Sequence, residues 1–250
     1  MAVKAKQDFV DRFEGAVRET GFGAFKARQA AVLIFDANRY SDTEAEAAAL
    51  LDTRERTRAA RFQFPSDRTT YTVAHAAWRV AIGVCLGIPA EDVPLAFTPE
   101  GQPRLHGVAL STSLSHSRSH IHSMVAIAVC TGETIGVDIE TVPLKVNLLE
   151  LMPVFCTPQE ITTINGFPWY RREHELLRLW TRKEALLKAF GVGLLTDPAK
   201  TPAPAHEMLW PPEGCDHQPA CHVRNIETGE MWLGALAAPR LVDDMVLHIL

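Results

Sequence analysis

Asp138 and Glu140 close the short apolar run Gly136-Val137-Asp138-Ile139-Glu140, and a second charged cluster, Trp180-Thr181-Arg182-Lys183-Glu184-Ala185-Leu186-Leu187-Lys188, follows downstream. A strand projects residues i and i+2 from one face, and a helix stacks i, i+3 and i+4 along one side. Two carboxylates from a strand end can therefore meet a third from a helix. Glu184 and Lys188 share one helical stripe with Trp180, and Lys183 follows Trp180 by three residues. Three acidic side chains beside two ammonium groups would hold a hard divalent cation and, with it, a polyphosphate. The expected chemistry is phosphoryl transfer.

The elements that must carry these residues can be read from capping and periodicity. Phe9, Phe13 and Val17 recur at helical spacing ahead of a first strand at Ala31-Val32-Leu33-Ile34-Phe35. Ser41-Asp42-Thr43-Glu44 has the form of a capping box, predicting a helix from about 43 to the middle sixties, where Pro65 interrupts it. Asp67 is expected to cap a second helix that runs to Leu86 and stops at Gly87. From Pro94 the texture changes to short strands separated by Pro99-Glu100-Gly101 and His106-Gly107 turns. Ile121 to Cys130 reads as a longer strand, with Thr134 to Ile139 as its antiparallel hairpin partner. Thr157-Pro158-Gln159-Glu160 opens a second helical region, whose principal helix is expected from about Arg172 to Phe190. Pro198 to Pro219 is loop-like, and three strands are expected near 221–226, 231–237 and 245–250. The fold class is α+β, in two halves of similar size: residues 1–132, and residues 133–250 carrying both charged clusters.

Composition narrows the function. At 250 residues and 47% hydrophobic content the chain can bury one large core or two smaller ones. A net charge of −5 argues against a generic nucleic-acid binder, so an anionic ligand needs a local basic patch. Arg54, Arg56, Arg58 and Arg61 form one, opposed by Glu55. Five scattered cysteines without a CxxC pair suit free thiols in a reducing cytosol. No apolar stretch reaches the roughly 18 residues of a membrane span, and the N-terminus leads into no signal-peptide run. A cytoplasmic protein without membrane contact is expected.

The two charged clusters resemble the core motifs of the 4′-phosphopantetheinyl transferases of the single-chain, surfactin-synthetase-activating type. Supporting segments fall in the same order: Arg54 to Phe62 resembles the family's basic helix segment, Gly101-Gln102-Pro103 its Gly-Lys-Pro motif, and Leu114-Ser115-His116-Ser117 its Ile/Leu-Ser-His-Ser segment. The resemblance implies a pseudo-dimer of two similar α/β halves with coenzyme A in the cleft between them, and a monomer. It implies transfer of the phosphopantetheine arm of coenzyme A to a serine of an apo acyl, polyketide or peptidyl carrier protein, releasing adenosine 3′,5′-bisphosphate. By the same resemblance, Asp138, Glu140 and Glu184 hold Mg²⁺, Lys183 and Lys188 contact phosphate, Ser115 and His116 meet the adenosine 3′-phosphate region, and Arg58 reaches a further phosphate. Catalysis would rest on Glu184, Lys188 and Asp138, with Glu184 as the base for the acceptor serine. Gln102 stands where the family usually has lysine. It brings no charge, and Arg104 is a candidate to replace it. A non-catalytic relative that binds coenzyme A or a carrier protein is the alternative that Gln102 leaves open. A nucleotide hydrolase is disfavoured by the lack of a Walker-type loop.

Overall fold

A computed structural model describes the chain apart from residues 1, 25, 145, 193–195, 214, 216–217 and 227–230. The elements in order are α1 (Ala2–Glu19), β1 (Gln29–Asp36), α2 (Glu44–Ala48), α3 (Thr53–Ala59), α4 (Pro65–Leu86), β2 (Leu95–Phe97), β3 (Pro103–Leu105), β4 (Ser111–Arg118) and β5 (Ser123–Cys130). There follow β6 (Gly136–Thr141), α5 (Leu148–Phe155), α6 (Pro158–Gly166), α7 (Trp169–Phe190), β7 (Met208–Leu209), β8 (Cys221–Ile226), β9 (Trp232–Pro239) and β10 (Asp244–Ile249). Two four-stranded sheets, ordered β10-β1-β5-β4 and β6-β9-β8-β7, give the mixed α/β architecture in two sheet-containing halves.

Strand alternation builds the layers. Ala31, Leu33 and Phe35 of β1 face a core shared with α1 and α4, where Phe9, Phe13, Val17, Trp78 and Ile82 are buried. The intervening Ala30, Val32 and Ile34 face a second cluster with Val137, Ile139 and Leu236, which fills the space between the sheets. A third cluster packs α7, through Leu176, Leu186 and Phe190, against the outer face of the second sheet. No helix among the described residues is long and apolar enough to cross a membrane.

Three sequence expectations are revised. The helix predicted from 43 to the middle sixties is two short helices. Ser41 does not cap: its hydroxyl donates to Asn38 O, while Glu44 pairs with Arg68 and accepts from Thr69. The break comes at Asp52, which forms a capping box with Glu55 and restarts the chain as α3. Asp67 caps nothing either, because α4 begins at Pro65 with Asp67 accepting from Arg118 Nε at 2.6 Å. The expected β5–β6 hairpin is absent, since β6 pairs with β9 in the other sheet and the turn before it carries the chain across. The Thr157–Glu160 box forms as read, and Gly87 and Gly191 end their helices at φ +68° and +70°.

β10 pairs in parallel with β1, from Gln29 opposite Asp244 to Ile34 opposite Ile249. The chain's final strand thus completes the first sheet rather than the second, and a division at 132/133 separates strands that share one ladder.

Candidate active site

Gly136 sets the position of everything that follows on β6. A Cβ there would lie 1.9 Å from Ala185 O and 2.6 Å from Ala189 N, so only glycine lets the strand run against α7 this closely. With Val137 and Ile139 turned to the inter-sheet core, Asp138 and Glu140 face α7, where Glu184 and Lys188 stand one turn apart. Lys188 Nζ donates to Asp138 Oδ1 at 2.7 Å, to Val137 O at 3.1 Å and to Ser115 Oγ at 3.0 Å. Lys188 of the helical stripe thus meets Asp138 of the strand, with Glu184 one turn and Glu140 one alternation along on the same faces.

The edge strand of the first sheet reaches this cluster through serines. Ser113, Ser115 and Ser117 leave β4 on one side at period two. Ser113 Oγ accepts from Val137 N at 3.0 Å, Ser115 Oγ donates to Asp138 Oδ1 at 2.8 Å, and Ser117 Oγ donates to Glu140 Oε2 at 2.5 Å while accepting from Thr141 N at 3.2 Å. Side-chain hydroxyls thus stand in for the backbone ladder that β4 and β6 do not share.

Electrostatics at the carboxylates is strained. Burial, then the charge of Asp138, pushes Glu140 up to about 7, with Glu184 adding to the rise. Burial and Asp138 also raise Glu184 above the ordinary carboxylate range. Asp138 is 4% exposed, and its Oδ2 is buried without a hydrogen-bond partner. A cation would relieve that mutual repulsion and occupy the orphaned oxygen, and carboxylate oxygens are what Mg²⁺ takes. The donor set fits. The side chains do not yet converge on one point, however: among the described residues no three His, Cys, Asp or Glu groups are clustered as metal ligands. Asp138 Oδ1 is engaged by Lys188 and Ser115, and Glu140 Oε2 by Ser117.

Lys183 requires a correction. It is fully buried on a different face of α7, its Nζ 2.8 Å from Glu160 Oε2 and donating to Pro198 O and Thr201 O at 2.9 and 2.6 Å. One residue along a helix turns the side chain by about 100°, which takes Lys183 away from Glu184 and into the cap of α6. It anchors structure and cannot touch phosphate at the Asp138 cluster. Trp180 packs edge-on against Phe155 with ring centres 4.9 Å apart.

A cleft of roughly 340 Å³ opens beside Lys188, lined by Ser115, His116, His75, Trp78, Phe97 and the Gly101-Gln102-Pro103 turn, among others. Burial first, then His75, Lys188 and Arg58, pushes His116 down to about 3, so its ring is neutral at physiological pH. Arg58 is exposed, with its guanidinium 5.9 Å from the Tyr71 ring centre, and Arg54 stands 5.0 Å from that of Phe97. Of the basic run, these two overhang the cleft wall. Gln102 plays another part. Its amide nitrogen lies 3.0 Å from Ala189 O and 3.3 Å from Lys188 O, capping the last carbonyls of α7, and its oxygen accepts from Arg104 and Gln218. Arg104 donates to Gln102 Oε1 and to Glu133 O, both neutral acceptors, and so keeps its positive charge beside the Gln102 turn.

The cleft wall also holds residues that spacing did not single out. Glu55, read only as a counter-charge to the arginines, is buried and accepts from Arg79 Nη2 at 2.7 Å, with His75 Nδ1 at 2.9 Å. The available signal was His75 and Arg79 at i, i+4 within the otherwise apolar α4 stripe.

The sequence is similar to those of known proteins. Residues 134–209 match the family model of the 4′-phosphopantetheinyl transferase superfamily, and residues 40–132 that of the 4′-phosphopantetheinyl transferase N-terminal region. The 4′-phosphopantetheinyl transferase HetI of Nostoc sp. is 31% identical over 174 residues, spanning 65% of this chain and 73% of that protein. A provisionally named 4′-phosphopantetheinyl transferase of Synechocystis sp., slr0495, is 30% identical over 146 residues, covering 58% of this chain and 59% of its own length.

Proposed function

Because the chain belongs to the 4′-phosphopantetheinyl transferase family, we propose that it transfers the 4′-phosphopantetheine arm of coenzyme A to a serine of an apo carrier protein and releases adenosine 3′,5′-bisphosphate. The observation that carries this reading is the meeting of Lys188 and Asp138 at 2.7 Å on the edge of the cleft, with Glu140 and Glu184 beside them. In the reaction the serine Oγ–P bond forms as the P–O bond to the leaving bisphosphate breaks, and the serine proton must go to a base.

Glu184 accepts that proton. Its raised proton affinity suits a base better than an ordinary surface carboxylate. Lys188, partly exposed at the cleft, places its ammonium group on the diphosphate and offsets charge building on the leaving group. Asp138 fixes Lys188 in that position. Mg²⁺ held by Asp138, Glu140 and Glu184 would neutralise the diphosphate and polarise the reacting phosphorus. Ser115, His116 and Arg58 bind the nucleotide end of coenzyme A: His116 as a neutral imidazole, Arg58 as the exposed cation above the wall.

The acceptor approaches along an apolar groove of roughly 640 Å³ that opens beside Glu140 and is lined by Leu144, Leu151, Val154 and Trp180, among others. The test is incubation with coenzyme A, Mg²⁺ and a panel of apo acyl and peptidyl carrier proteins, read by intact mass. One phosphopantetheine arm added to an acceptor supports the reading, and unchanged acceptors across the panel defeat it.

A further inference from the structure

Arg182 stands inside the second charged cluster, yet the transfer site leaves it unused. Two residues along a helix turn the side chain by about 200°, so Arg182 leaves α7 on nearly the opposite side from Glu184. There it shares a stripe with Glu175 and Leu179, at i, i+4 and i+7, and this stripe floors a cavity of roughly 290 Å³. Thr163, Ile164 and Phe167, from α6 and its C-terminal end, form one wall, and Pro202 to Pro204 the other. The depth of the cavity is apolar, with Ile164, Leu179 and Ala203 all buried.

The charges around this cavity are unequally matched. Glu160 Oε2 has Lys183 Nζ at 2.8 Å, and Glu175 Oε1 has Arg171 Nη2 at 2.8 Å. Arg182 has no carboxylate of its own. Its Nε donates to Ala203 O at 2.8 Å and its Nη1 to Asn225 Oδ1 at 3.1 Å, two neutral acceptors that fix the guanidinium at the cavity. Among the described residues Nη2 makes no hydrogen bond. Burial above all presses the proton affinity of Arg182 below that of an ordinary arginine, and Arg178 one turn earlier adds to this, against Glu160 and Glu175. A half-buried cation held only by neutral oxygens is stabilised by an anion, and the guanidinium fork matches a carboxylate.

We propose that this cavity binds a short-chain aliphatic carboxylic acid, with its carboxylate on Arg182 and its hydrocarbon against Ile164, Phe167 and Leu179. A volume at the lower end of small-molecule sites, about 300 Å³, admits a body of this size and excludes a full-length lipid tail. A cationic ligand would meet Arg182 and find both glutamates already paired. The cavity lies on the other side of α7 from the Asp138–Lys188 cluster, so its occupancy stands or falls separately from the transfer reaction.

Isothermal titration of the whole protein with octanoate, octan-1-ol and octylammonium tests this. Octanoate should bind once per chain, with octan-1-ol weaker by about tenfold, the scale of one hydrogen bond between charged groups, and octylammonium weaker still. Arg182→Gln should bring octanoate down to the level of octan-1-ol. Thr163 is exposed and lines the cavity, so Thr163→Trp fills the opening without entering the core. That variant should abolish octanoate binding whatever Arg182 contributes to folding. Equal affinity for octanoate and octan-1-ol, or undiminished octanoate binding by folded Arg182→Gln, denies carboxylate recognition. Undiminished binding by Thr163→Trp places the acid elsewhere on the molecule, and an unmodified protein that takes up no octanoate has no such site. Each of these results overturns the proposal.

Discussion

Ser115 Oγ donates to Asp138 Oδ1 at 2.8 Å, so the edge strand of one sheet is bonded to the buried carboxylate of the other at the centre of the site. Lys188 reaches both groups from α7. Three stretches of chain distant in sequence are thereby locked to a single carboxyl oxygen, and the relative placement of the two sheets fixes the position of the ammonium group. Alignment of the halves and assembly of the site are one event.

Glu184→Gln removes the proposed base while leaving Lys188, Asp138 and the cleft wall in place. Transfer to an apo carrier should fall at least a hundredfold, the lower end of what a general base contributes, with coenzyme A binding retained by calorimetry. Unimpaired transfer would exclude the role.

Glu55 gives the fold a specific acid limb. Burial alone would raise its proton affinity, but hydrogen bonds from His75, Arg79 and Asp52 N outweigh it and bring the group to about 2, against 4.5 ordinarily. A depressed carboxylate contributes stability that is fully present above the unfolded value and lost as pH falls from about 4.5 towards 2. That shift corresponds to about 3 kcal/mol. Denaturant titrations should show Glu55→Gln less stable by this order at pH 7, with the difference narrowing below pH 4; a constant gap across the range would contradict the assignment.

Lys183→Met should behave as a stability variant. It leaves Glu160 short of its buried partner and two carbonyls without a donor, a loss of about 3 kcal/mol. The Michaelis constant for coenzyme A, measured below the transition, should not move. A rise in that constant without loss of stability would restore Lys183 to the phosphate site.

Gly136→Ala tests the strand–helix approach. The added methyl meets the Ala185 carbonyl, backbone that cannot rotate away, and should cost about 3 kcal/mol. The separation of β6 from α7 would carry Asp138 away from Lys188, so residual folded protein should be deficient in transfer as well. Wild-type stability in this variant would show that the contact is looser than described.

Much of the site was legible because its logic is local. The i, i+2 alternation of Asp138 and Glu140 and the i, i+4 stripe of Glu184 and Lys188 are geometry that short segments impose on themselves. Lys183 was misplaced because proximity in sequence was allowed to override helical rotation, and its partner Glu160 is disclosed only by tertiary packing. The β6 pairing was missed for a similar reason. A strand, a short polar turn and a second strand read as a hairpin, and nothing in those residues shows that hydroxyls of Ser113 and Ser117 would take the place of a ladder. The Glu55–His75–Arg79 group required knowing that α3 lies on α4, which no single segment reveals.

The return of β10 to β1 has a consequence for biogenesis. During synthesis, one edge of β1 remains without its parallel neighbour until residues 244–249 have left the ribosome, after every residue of the transfer site has been made. A polypeptide cleaved before Asp244 would present that open edge to other chains, so its liability for association lies in the β1–β10 ladder and not in the transfer site.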